Sequence, residues 1–516
     1  MLLFLCAYPY FLRDKYFSMT IGKTYFFYGV TAVYAVGCLI IRNYVEKKND
    51  IRPRRKNAGN LCGGIFLLSA VFSCFLSISP VDSFSGGRGR FMGLGMFFFI
   101  ALAYDFITRF GKINRAAAAV FGLSAAVMNI IALLQFAGFD PFYLYAPANE
   151  DVRINFMSLI GNKDVFYSYL ALTIPFFMYL SCKAEKTAEK IFCCAVCFFG
   201  FTGVFACNSD GAFIGMAAAF IVLFFVLGKN KTGLSDFSLL VLLFFAAAFL
   251  TALIKPDMSK FNIPETLVMR KFILPGVSGL AMLAAAVVFA VILLLPERAG
   301  LIRALRIAVA VLLAAAVLFA VCVFVYYSVF DTESDIGSLS EFLRFGPLWG
   351  NKRGYIWSRL FGIYKEFPLS RKLIGSGEET VELIMNECFR EEMLSVTGLT
   401  FDNAHNEFLQ YLVTHGALGL IFYLLFAVFT VIRAAKHGGQ LNKAAALAVI
   451  CYMAQSAVNI SQSITTPLFF VFTAIAAMES GDVIRVFAPA SPTETDEDPP
   501  GGIPQSETPP DVSLPV

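Results

Sequence analysis

An all-α, polytopic membrane bundle of about 12–14 transmembrane helices, with one large extracytoplasmic loop of short helices, is the fold class the sequence predicts. Three observations predict it. The chain is 58% hydrophobic at a mean hydropathy of +0.70, well above an ordinary soluble protein. Only 15% of its 516 residues are charged. Apolar runs of about 18 to 25 residues recur along it, the length that crosses ~30 Å of hydrocarbon. A soluble reading would need one enormous core, so the length counts spans rather than globular domains.

In order, the apolar runs fall at 2–12, 22–42, 61–79, 91–108, 116–138, 166–182, 189–207, 210–228, 236–254, 276–295, 304–330, 411–432, 443–460 and 464–480. The opening "MLLFLCAYPYFL" lacks a basic n-region and a small-residue cleavage site, and reads as a short or partial first span rather than a signal. Residues 1–330 thus form an N-terminal bundle of about eleven spans, and 406–480 form the C-terminal membrane helices. Beyond them, 481–516 is Pro-rich, acidic and nearly free of aromatics, a composition that predicts a disordered tail.

The loops decide orientation. Those holding Arg42 to Lys56, Arg109 to Arg115, Lys183 to Lys190, Lys229 and Lys231, Arg298 to Arg306 and Arg433 to Lys443 share one side if every run crosses once. They carry roughly twice the Lys and Arg of the opposite short loops, so they are cytoplasmic by the positive-inside rule. Both termini are then inside, and 331–405 lies outside. That stretch holds both tryptophans, Trp349 and Trp357. Its "YIWSRLFGIYKEF" places apolar residues every three to four positions, which predicts short amphipathic helices lying at the membrane surface. A loop this long without structure of its own is unusual unless it is functional.

Composition excludes little else. A net charge of +4 says little about acidic partners, and no nucleic-acid partner is expected. Most of the twelve cysteines fall in apolar runs as small packed hydrophobes. Neither paired CxxC motifs nor a His/Cys spacing points to zinc, so neither metal nor cofactor is expected. Cys388 is alone in the outer loop.

Cations dominate the outer face. It collects Arg88 and Arg90 in "SFSGGRGRFMG", Arg153 and Lys163 in "DVRINFMSLIGNKDVFYSYL", Arg353 and Arg359 in "NKRGYIWSRL", and then His405. Arg forks match phosphate oxygens bidentately and stay charged at all relevant pH. A neutral imidazole is suited to accept a proton from an attacking hydroxyl. Together these parts suit group transfer from a lipid diphosphate.

The order of pieces resembles the O-antigen ligase and O-antigen polymerase family of bacterial surface-polysaccharide enzymes. The pieces are "GRGRFMGL", "GNKDVFYSYLALTIP", "NSDGAFIGMAAAFIVLF", "RGYIWSRLFGIYKEFPLSRKLIGSG" and "AHNEFLQYLVTHGALGLIFYLLF", the last two being the most specific. The resemblance implies inverting, metal-independent transfer of a glycan from undecaprenyl diphosphate to a lipid or sugar acceptor, at the outer face of a bacterial cytoplasmic membrane. It implies that Arg353, which precedes Trp357, binds the diphosphate, and that His405 of the HN motif activates or orients the acceptor hydroxyl. Asn406 is its partner in the motif, and Arg90, Arg153, Lys163 and Arg359 are further candidates for substrate contact. Membrane lipids are the remaining partner. Two positions depart from the pattern: Ser209-Asp210-Gly211 stands where relatives commonly read Ser-Arg-Gly, and Thr414 where an acidic residue is common.

Plainer readings compete at several positions. His415 lies on a different helix face from His405 and reads as structural, and His437 reads as solvated in a basic loop. "IGSGEET" reads as a turn, since no strand precedes it and no GK[ST] follows. Glu378, Glu379, Glu382 and Glu387 read as one wet helix face rather than a metal site. Alternative functions are a transporter or flippase for polysaccharide lipids, which predicts broken helices around a midplane site, and a protein O-oligosaccharyltransferase.

Overall fold

The computed structural model describes residues 1–15, 18–45, 57–146, 148, 155–255, 271–294 and 296–478. Arg153, the predicted tail over 481–516 and most of the basic loop 42–56 lie outside those residues. The described chain is the all-α bundle the sequence predicts. Nine of its helices are long and apolar enough to cross a membrane.

The helices of the N-terminal part are α1 (Met19–Val45), α2 (Ala58–Phe75), a short α3 (Pro80–Ser85), α4 (Leu94–Phe110), α5 (Arg115–Phe136), α6 (Lys163–Lys183), α7 (Thr187–Ala206), α8 (Gly211–Leu227), α9 (Lys231–Ile254), α10 (Pro275–Leu294) and α11 (Ala299–Val325). A two-stranded hairpin, Phe156–Met157 against Gly161–Asn162, precedes α6. The cap follows, with α12 (Ser340–Leu343), α13 (Trp349–Glu366), α14 (Leu369–Ile374) and α15 (Val381–Thr397). The chain re-enters the bundle through α16 (Glu407–Thr414), α17 (Gly416–His437), α18 (Gln440–Ser456) and α19 (Thr466–Ala477).

The opening run makes only short helical turns over Leu3–Tyr10, too few residues to cross a bilayer. They lie along α1, with Phe4 against Phe27 and Tyr34. The buried Lys23 of α1 donates to the carbonyls of Pro9 at 2.6 Å and Phe11 at 2.9 Å, which leaves a partial span stapled into the bundle.

At the centre, α6 packs on α7, α8 and α18. The Asn162 side chain accepts the Asp164 N–H at its start, while Asp164 in the first turn and Lys183 in the last suit the helix dipole. At the other end of the hairpin α18–α19, the Asn442 amide donates to the carbonyls of Ile475 (2.8 Å) and Met478 (3.1 Å). The C-terminal carbonyls of α19 would otherwise be orphaned.

One difference from the sequence reading matters for the site. The runs 443–460 and 464–480 suggest two full spans joined by a tight turn, whereas α18 stops at Ser456 and α19 starts at Thr466. Between them 457–465 is irregular, polar and almost wholly buried. Irregular backbone survives inside a membrane protein only when the protein satisfies its polar groups. Here Ser463 N–H donates to the Arg90 carbonyl, Thr465 N–H to the Gln462 carbonyl, and Gln462 N–H to the Thr466 hydroxyl.

The cap has its own small core, in which Tyr355, Ile356 and Leu360 of α13 meet Val381 and Met385 of α15 and Leu409 and Val413 of α16. It is fastened down by 375–380, all buried. Ser376 N–H bonds the Val413 carbonyl (3.0 Å), Gly377 N–H bonds the Thr414 carbonyl (3.1 Å), and the Ser83 hydroxyl bonds the Glu378 carbonyl (2.7 Å). Gly375 has φ +93° and lies so close to the Thr414 backbone that a Cβ would collide with it. The expectation that Glu378 and Glu379 line a wet face is therefore corrected. They precede α15, are 5% and 8% exposed, and are drawn inward with the strap that carries them.

Candidate functional site

The site forms where the cap meets the 457–465 loop and the start of α6. Arg353 is the first regular residue of α13, after a left-handed turn at Gly350, Asn351 and Lys352 (φ +58°, +60° and +69°). His405, at φ +48°, ends the segment leading into α16. For residues other than glycine this conformation costs of order 1 kcal/mol and gathers at functional sites. Surrounding bonds hold it in place. The Trp357 indole N–H donates to the Ala404 carbonyl at 3.0 Å, tying α13 to the residue before His405. The Asn403 carboxamide accepts the His405 N–H at 2.9 Å.

Arg353 reaches the 457–465 loop. Its Nη2 donates to the Val458 carbonyl and its Nη1 to the Gly350 carbonyl, both at 2.9 Å. The same Val458 oxygen accepts the Tyr167 hydroxyl of α6 at 3.3 Å, and the Asn459 amide donates to the Asp164 carbonyl at 2.7 Å. The Arg353 Nε is buried with no partner among the described residues. Arg90 approaches from the other side, pairing with Asp402.

Around His405 the charged groups are Arg353, Asp164, Arg90 and Asp402. Burial, followed by the guanidinium of Arg353, pulls the imidazole down to about 4, and Asp164 and Asp402 oppose the shift. The ring is therefore neutral at physiological pH, with a lone pair to offer. Burial pushes Asp402 upward, and Arg90 more than offsets this to hold its carboxyl below the usual range. Glu379, whose Oε1 accepts the Met92 N–H at 3.1 Å, is pushed by burial up to about 8. A small recess next to the pair is lined by Arg90, Glu379, Asp402, Gln410 and Ser461.

The structure thus brings His405, Arg353 and Arg90 together. Lys163 opens α6 one residue before Asp164, and both act electrostatically on Cys207, as does Asp210, so the ends of α6, α7 and α8 meet beside the site. Asn406 plays a different part, because its side-chain oxygen accepts the N–H groups of Phe408 and Leu409, both at 3.0 Å, and caps α16. Arg359 stands apart in the cap, bonded to Glu392 and lying over the rings of Tyr355 and Phe389. Arg88 pairs with Asp82 at 2.9 Å. His415 is fully buried against Glu378, and Glu378 also accepts the Thr414 hydroxyl at 3.3 Å. A carboxylate thus reaches Thr414 from the strap.

Sequence reasoning missed Asp164, Asp402, Gln462 and Glu407. Glu407 is fully buried and accepts the hydroxyls of Tyr423 (2.5 Å), Tyr452 (3.2 Å) and Ser456 (3.3 Å). An ionisable residue at this depth was a usable signal, as was the polar-rich stretch Asn459 to Thr466, interrupted only by Ile460 and Ile464.

Fold and site define a polytopic membrane protein with one polar, arginine-bearing site at the cap end of its bundle. Residues 275–424, from α10 into α17, match the family model described as O-antigen ligase. Arg353 and His405 lie inside the matched segment, while Arg90, Asp164 and the 457–465 loop lie outside it. The family supports a polysaccharide-related membrane ligase or polymerase activity. No curated protein matches the chain.

Proposed function

We propose that the protein transfers a glycan from undecaprenyl diphosphate to a lipid or sugar hydroxyl at the outer face of the cytoplasmic membrane, with inversion and without a metal. The cap faces outward and the basic loops face the cytoplasm, as the positive-inside rule orders them. The observation that carries the reading is that Arg353, bonded to the buried 457–465 loop, lies in the electrostatic surroundings of a neutral His405.

Arg353 holds the diphosphate with the N–H groups its two carbonyl contacts leave over, and among the described residues no carboxylate is paired with it to neutralise its charge locally. Lys163 is a secondary contact for the same group, with Arg359 and Asn406 further removed by their other bonds. The acceptor hydroxyl lies against the His405 ring. Its oxygen attacks the anomeric carbon as the bond from that carbon to the diphosphate oxygen breaks. The bonding pair leaves on the diphosphate, and the hydroxyl proton passes to the imidazole.

The electrostatics give this order a physical basis. With the site empty, burial and then the Arg353 cation suppress protonation of His405. A bound diphosphate offsets the cation's share of that shift, so the ring becomes a better base when donor is present. Deleting the gene and complementing with His405→Ala or Arg353→Ala tests the reading. Surface glycan should shorten, or accumulate unattached on its lipid carrier, in both variants. Full complementation by either contradicts the assigned chemistry.

A further inference from the structure

Arg90 has the residue type expected of a diphosphate ligand, but its donors are engaged elsewhere. Nε meets Asp402 Oδ2 at 2.9 Å and Nη2 meets Asp402 Oδ1 at 2.8 Å, a fork-on-fork pairing. Nη1 donates to Gln462 Oε1 at 3.2 Å, and the Arg90 carbonyl accepts the Ser463 N–H at 3.1 Å. One residue thus ties three segments together: its own glycine-rich turn, the Phe401–Asn406 segment carrying His405, and the 457–465 loop carrying the Arg353 contact. Arg353 differs, bonding only neutral carbonyls. An Arg–Asp pair has no net charge to offer an anion, whereas Arg353 does.

We infer that Arg90, Asp402 and Gln462 form a positioning clamp that holds the His405 segment against the Arg353 loop, and that Arg90 is not a ligand of the diphosphate. The inference rests on the proposed glycan transfer. Asp402 stands three residues before His405, whose left-handed backbone needs such restraint. Displacing the imidazole by about 1 Å lowers a transfer rate about a hundredfold while leaving donor binding intact.

The test splits binding from turnover. Purified protein in nanodiscs is titrated with undecaprenyl diphosphate, and surface glycan is scored in complemented cells. Arg90→Gln and Asp402→Asn should bind undecaprenyl diphosphate within about twofold of wild type yet lose surface glycan, whereas Arg353→Gln should bind at least about tenfold more weakly. The charge-swapped double variant, Arg90→Asp with Asp402→Arg, should regain glycan, and thermal melting shows which variants stay folded. Weak binding by a folded Arg90→Gln, or a folded charge-swapped protein that stays inactive, overturns the clamp. A wild type that fails to bind undecaprenyl diphosphate instead removes the donor assignment, while recovery in the charge swap still decides the clamp.

Discussion

Helices α6 and α11 are both long enough to span a membrane, and they have opposite fates. The spanning window of α6 is 89% buried inside the protein, while that of Ala299–Phe330, which includes α11, is 0% buried. The buried helix is the less hydrophobic of the two. In water that order would be perverse. In lipid it is expected, since hydrocarbon tails are as apolar as leucine and helices associate through close packing and polar contacts. Helix α6 carries Asp164, Tyr167 and Ser168, each bonded to a neighbouring segment. Helix α11 touches its surroundings mainly at its ends, where Arg306 donates to the Phe225 carbonyl and Phe324 meets Trp349. Polarity within a span, rather than apolarity, marks the helix that faces the site.

The comparison breaks if the site end proves unimportant. Arg353→Ala and His405→Ala should each lower glycan transfer at least about a hundredfold, measured on purified protein with a polyprenyl-diphosphate glycan. A smaller but clear effect is expected where α7 packs on α6. A Cβ on Gly200 would lie 2.7 Å from Ile174 Cγ1, so Gly200→Val should cost about 1–3 kcal/mol of stability, read as a lowered melting temperature in detergent.

A titration sharpens the electrostatic half of the account. His405 should stay neutral down to about pH 4, against ~6.5 for a free side chain. Arg353→Gln removes a cation that opposes protonation, so the His405 pKa should rise in that variant. NMR of the imidazole signals, with His405→Gln for assignment, checks both the value and the sign. Smallest of all, Ala314→Leu on the exposed face of α11 should change stability by less than about 0.5 kcal/mol, because the added carbons meet lipid rather than protein.

The same contrast explains how much of the molecule was legible in the sequence. Spans were legible because hydrocarbon thickness sets their length, and Arg353 and His405 stood out as polar residues in a recognisable pattern. The 457–465 loop was not, because a hydropathy reading sees a short gap between two spans and cannot tell a surface turn from a loop folded into the protein. Asp402 and Asp164 were hidden as ordinary polar residues beside more conspicuous ones, His405 and Lys163. Glu378 and Glu379 misled because charge normally signals solvent, and only the packing of the strap beneath the cap reverses that rule. Arg359 and Arg353 lie on one helix six positions apart, so sequence spacing alone did not separate the cap residue from the site residue.

The most direct test of joint action by Arg353 and His405 is a double-mutant cycle on glycan transfer, with the purified wild type, Arg353→Ala, His405→Ala and the double variant. Residues that act as one unit are strongly non-additive, so the double variant should be about as slow as the slower single. Losses that simply multiply, in proteins that melt like the wild type, would contradict the account.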